Sequence, residues 1–169
     1  MIKREKIQLF TGFFCFIVML LDAHFTRALT DWGQVTYIWN THLLLLLFLF
    51  GAATMSKRYM ITTALIIGSI FDLYYIGVLG IYAVALPLVV WLMYVLSETL
   101  YQNLFTYFFG MIILVTGFEL ITMGIQLFFD LTVVNPIFFV TRLLGPTLFV
   151  NIVLFFLLYY PLKKLFANE

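Results

Sequence analysis

The chain is poor in charge, cysteine and catalytic motifs, and each shortage excludes a class of function. Only 10% of its 169 residues are Asp, Glu, Lys or Arg, against roughly 25% in soluble domains. Nine basic and eight acidic residues leave a net charge of +1, so nothing draws the chain toward nucleic acid. A single cysteine, Cys15, excludes an intramolecular disulfide and a cysteine-rich metal site. It lies inside the first apolar run, as a small apolar filler. There is no GxSxG, no HExxH, no Walker loop and no Cys–His pair at a meaningful spacing. No catalytic, cofactor-binding or metal constellation is therefore named, and no repeat is visible.

What is abundant is hydrocarbon. Apolar residues make up 64% of the chain, twenty of them phenylalanine. One domain of this length cannot hide that much apolar surface from water, so the bilayer is the expected solvent. A crossing helix needs about 20 apolar residues, and six runs approach this: 7–25, 35–55, 60–74, 78–96, 104–129 and 138–160. The expected fold is all-α, six transmembrane helices in a compact bundle, forming one polytopic domain over 1–169. The third run is short and is expected to extend through Tyr74 or to lie tilted. The start, MIKREKIQLF, resembles the basic region of a signal peptide. The run after it ends in LLDAHFTR without a small-x-small cleavage site, so it is read as a retained first span. That span is expected to end at Asp22, His24 and Arg27, before a polar loop TRALTDWGQ. The last is expected to stop at Pro161.

Lys3, Arg4, Lys6, Lys57, Arg58, Lys163 and Lys164 fall on one side of this arrangement, and Arg27 and Arg142 on the other. Basic loops stay inside, so both termini are expected in the cytoplasm.

The stretch FDLYYIGVLGIYAVALPLVVWLMY organises the chain. It holds an acid, Asp72, then two glycines, Gly77 and Gly80, then an apolar run interrupted by Pro87. This is how a chain turns at a membrane face and goes back in. Asp72 is expected to cap or fix the turn rather than bind a ligand. Glu119 lies mid-span, where a charge costs about 2.5–3.5 kcal/mol on insertion scales. It is either an intramembrane contact or proton site, or a neutral acid bonded to a neighbouring polar group. Gly110, Gly117 and Gly124 recur every seven residues, a small face expected to pack another helix, within the protein before a partner. Asp22 and His24 lie two apart and do not share a helix face. His42 joining them in space is a weak metal signal. Pro87 and Pro146 read as kinks.

Four motifs, in order, resemble one family. LLDAHFT ends the first span, and THLLLLLFLF forms the second. IGSIFDLYYIGVLGIYAVALPLVVWL carries Gly68, Asp72, Gly77, Gly80 and Pro87. RLLGPTLFVNIVLFFLLYYPLKKL carries Pro146 and Asn151. Together they resemble the rod shape-determining MreD family of Gram-positive bacteria, with Ala23 where a glycine is usual. The resemblance implies a non-catalytic membrane subunit of the cell-wall elongation machinery, in the plasma membrane. It implies binding to an MreC-type single-helix protein, with links to a SEDS polymerase and a penicillin-binding transpeptidase. It implies a fold similar to the substrate-binding S-components of energy-coupling-factor transporters, six helices around a central cavity, with membrane lipid as a further partner. Three readings compete: a scaffold for wall elongation, an S-component-like subunit binding a vitamin or ion, and a membrane enzyme. The second requires a polar cavity between the Asp22–Trp32 and Asp72–Gly80 stretches. The third requires titratable groups that cluster.

Overall fold

Apolar runs fold as helices because lipid offers backbone groups no partner, whereas a helix bonds them internally. The computed structural model describes residues 2–32, 36–101, 103–133 and 135–167, with side chains from residue 11 to 166. The helices are α1 (Ile2–Trp32), α2 (Leu43–Gly51), α3 (Lys57–Phe71), α4 (Ile81–Val95), α5 (Ser97–Leu100), α6 (Leu104–Phe128), α7 (Pro136–Phe138) and α8 (Gly145–Ala167). π-helical turns extend α3 through Asp72–Ile76 and join α7 to α8 through Phe139–Leu144. There is no strand among the described residues. Four stretches are long and apolar enough to cross a membrane: Thr11–Trp32, Lys57–Ile76, Leu104–Phe128 and Pro136–Phe166. Helix α4 is apolar but has 15 residues, about 22 Å of rise.

Three expected boundaries move. The loop TRALTDWGQ is helical through Trp32, and its Gly33 and Gln34 lie outside the described residues. Polar side chains end a hydrophobic run without ending the backbone ladder, and Ala28 and Leu29 are good helix formers. The run expected over 35–55 is helical only at Leu43–Gly51, after an irregular stretch at 38–42; Val35 lies outside the described residues. Hydropathy registers apolar surroundings, and protein supplies these as well as lipid does. Every residue from Leu44 to Gly51 is buried, so α2 is apolar on all sides and enclosed. Helices α1, α4, α6 and α8 pack around it. The last helix passes through Pro161 to Ala167; one lost backbone bond does not end a helix whose neighbouring bonds remain.

The tightest pair is α3 with α4, and Gly68 is the reason. A Cβ there would stand 2.5 Å from the Tyr82 carbonyl oxygen and 2.8 Å from its carbon. The turn beyond it needs glycine for the opposite reason. Gly77 has φ 76° and Gly80 φ 122°, and no atom lies within 4 Å of an added Cβ at either. Space is free; the backbone conformation is what a side chain resists. Gly77→Val and Gly80→Val are each expected to cost about 1–3 kcal/mol. Thermal melts of the purified variants check this, and unchanged midpoints in both refute it.

The seven-residue glycine face does not pack within the protein as expected. Gly110 meets Leu100 of α5, but a Cβ at Gly117 or Gly124 would meet nothing within 4 Å. The neighbours of α6, helices α2, α4, α5 and α8, leave those two positions uncovered.

Candidate functional site

Trp39, Asn40, Thr41 and His42 open an otherwise unbroken apolar run, and they do so outside any helix or strand. Irregular chain inside a membrane protein leaves backbone groups that cost several kcal/mol each when unmet. Side chains from α1 and α8, and one backbone carbonyl, meet them. Asn40 N–H donates to Thr147 Oγ1 at 3.2 Å, and Thr41 N–H to Thr26 Oγ1 at 3.0 Å. Asn151 serves twice: its Oδ1 accepts from His42 N–H at 2.9 Å, and its Nδ2 donates to the Asn40 carbonyl at 2.8 Å. Ile38 N–H donates to the Arg142 carbonyl at 2.8 Å. That carbonyl lies four residues before Pro146, which has no N–H to return to it. Pro146 thus does more than kink α8: it leaves an acceptor for the segment.

Two buried aspartates cap helices other than their own. Asp22, on α1, accepts from Leu43 N–H at 3.0 Å and Leu44 N–H at 3.3 Å, closing the N-terminus of α2. Asp72, fully buried, accepts from Gly80 N–H and Tyr82 N–H at 2.8 Å and from Ala83 N–H at 3.0 Å, closing α4. Negative charge at a helix N-terminus is stabilised by the free N–H groups and the helix dipole. Asp22 is buried, while His24, two residues on, is exposed.

Glu119 has its partners on the same segment. Its Oε1 lies 2.8 Å from Asn40 Nδ2 and 2.9 Å from His42 Nε2, and the His42 ring stands edge-on to Phe118. Glutamine keeps that Oε1 acceptor, so Glu119→Gln is expected to change stability by less than about 1 kcal/mol. Glu119→Leu strands the part-buried Asn40 amide and the buried His42 ring nitrogen and is expected to cost about 2–4 kcal/mol, read as a thermal-melt difference between the two variants.

The segment divides two hollows. On one side lies a cavity of about 180 Å³ lined by Asp22, Thr26, Arg27, His42, Tyr75 and Tyr82 among others. On the other, an apolar groove of about 620 Å³ runs between α1 and α8, from Phe14 and Val18 to Leu158 and Leu162, with Trp39 at its wall. The structure brings Asp22 and His42 to one cavity and sets Glu119 behind His42. Asp72, Gly77 and Gly80 share the adjoining turn, and Pro87 lies inside α4. Among the described residues no three His, Cys, Asp or Glu side chains converge as metal ligands would. Sequence reading passed over Thr26, Arg27, Asn40, Tyr82 and Thr147. The polar WNTH at the mouth of a leucine run was the one available signal.

These positions can be set beside known proteins. A family profile described as rod shape-determining protein MreD matches residues 3–168. The chain belongs to the MreD family. A relative named Cell shape-determining protein MreD, from Streptococcus pneumoniae (strain ATCC BAA-255 / R6), is 26% identical over 150 residues, which are 89% of this chain and 88% of that protein. No solved structure matches the chain. In this MreD chain the residues of the third motif form the α3–α4 turn, and Pro146 and Asn151 of the fourth motif serve the irregular segment at 38–42.

Proposed function

We propose that this protein is a non-enzymatic membrane subunit of the machinery that inserts peptidoglycan along the side wall, and that it supports cell shape by binding an MreC-type single-helix protein. A SEDS polymerase and a penicillin-binding transpeptidase are its further partners in this reading. Family membership over residues 3–168 carries it. The polar chemistry agrees: Asp22, Asp72 and Glu119 each accept hydrogen bonds that hold the fold, and none is left to act on a substrate. The uncovered face at Gly117 and Gly124 suits close approach of a partner helix. The arrangement we favour has six membrane-inserted segments around the cavity, similar to an S-component, in the plasma membrane. Both termini are cytoplasmic, because seven of nine basic residues then lie inside.

The test is co-purification. The tagged protein, extracted in mild detergent, is expected to retain its MreC-type partner, and its depletion is expected to round the cells. A partner that washes free, in cells that keep their shape, overturns the proposal. Accessibility labelling of single cysteines placed at residues 2 and 167, in a Cys15→Ser background, is expected to mark both ends from the cytoplasmic side.

A further inference from the structure

The cavity beside this irregular segment has the make-up of a binding site. Its wall is a continuous run of rings: Tyr75 lies 5.0 Å from Phe71, Phe71 stacks on Tyr82 at 4.2 Å, Tyr82 meets Phe118 edge-on at 4.9 Å, and Phe118 meets His42 at 5.1 Å. His42 is 3% exposed and uses Nε2 toward Glu119. Together with Tyr82 it brings polar groups to the cavity wall.

Charge selects the ligand. The acids around the cavity are already answered: Asp22 and Asp72 by helix N-termini, Glu119 by Asn40 and His42. Arg27 is not. It lines the cavity, its guanidinium lies 5.5 Å from the centre of the Tyr75 ring, and it makes no ion pair among the described residues. Size narrows the choice further. A cavity of about 150 Å³ admits a benzene ring, and this one has about 180 Å³, room for one ring and a small substituent.

We propose that this cavity binds a small monoanion, its acidic group on Arg27 and a single-ring or similarly compact body between Tyr75, Tyr82 and Phe118. The same chemistry comes from a free organic acid or from the phosphate and glycerol of an anionic lipid headgroup. Binding here needs no transport and is independent of the partner reading above.

Benzoate is the probe and benzamide its neutral counterpart. The full chain is placed in phosphatidylcholine nanodiscs, and uptake is read by equilibrium dialysis. Benzoate is expected to bind saturably and at least about tenfold more tightly than benzamide, the scale of about 1.4 kcal/mol from one charge-assisted contact. Arg27→Gln, at an exposed position, is expected to remove that preference while the thermal midpoint stays that of the parent protein. Phosphatidylglycerol in the disc that displaces benzoate identifies a lipid headgroup as the source; benzoate binding that persists identifies a free acid. Absence of saturable uptake, equal binding of benzoate and benzamide, or an unchanged preference in Arg27→Gln overturns the proposal.

Discussion

Asp72→Ala is expected to be among the most damaging single changes in this protein. It removes one carboxylate and strands three backbone donors, those of Gly80, Tyr82 and Ala83, at the start of α4. Asp72 is fully buried, so water does not replace it. An unmet buried group costs about 1–3 kcal/mol, giving a loss on the order of 3–6 kcal/mol. The measurement is the thermal midpoint of the purified protein in detergent, expected to fall by roughly 10 °C or more. Asp72→Asn is the informative companion. It keeps one acceptor oxygen but turns an NH₂ toward the remaining N–H groups, so its midpoint is expected between those of wild type and alanine. A midpoint for Asp72→Ala within 2 °C or so of wild type means that the turn does not depend on the carboxylate.

Asn151→Leu is the second. The substitution keeps the branched shape, with bulkier methyl groups in place of O and NH₂, and loses both hydrogen-bonding functions, leaving the His42 N–H and the Asn40 carbonyl unmet. Two stranded groups place the cost at about 2–5 kcal/mol. The effect should be local: the 38–42 segment loosens while the α3–α4 pair stays closed. Amide hydrogen exchange separates the two, with faster exchange expected at residues 40–44 and none added at 80–83. Uniformly faster exchange would mean that the segment and the bundle open together.

Much of the helical content is legible because hydropathy and glycine spacing are local signals. The third, fifth and last apolar runs emerge as long helices, and an acid followed by Gly77 and Gly80 marks a reversal. The second run misleads because five consecutive leucines look the same whether lipid or protein surrounds them. Only the polar WNTH before them hints at enclosure. The site was less legible still. Glu119 reads as an acid without a partner until folding brings His42, 77 residues away, to 2.9 Å. Asn40 and Asn151 are 111 residues apart in the chain. Pairings of that separation leave no trace in spacing. Pro146 was read as a generic kink because the recipient of its freed carbonyl, Ile38, lies at the other end of the sequence.

That separation has a consequence for biogenesis. When the ribosome has made residues 38–42, the groups that satisfy Ile38, Asn40 and His42, on Arg142, Thr147 and Asn151, do not yet exist. The backbone groups of the nascent segment depend on water until α8 is made, so it is the synthesis of residues 142–151 that lets this segment close.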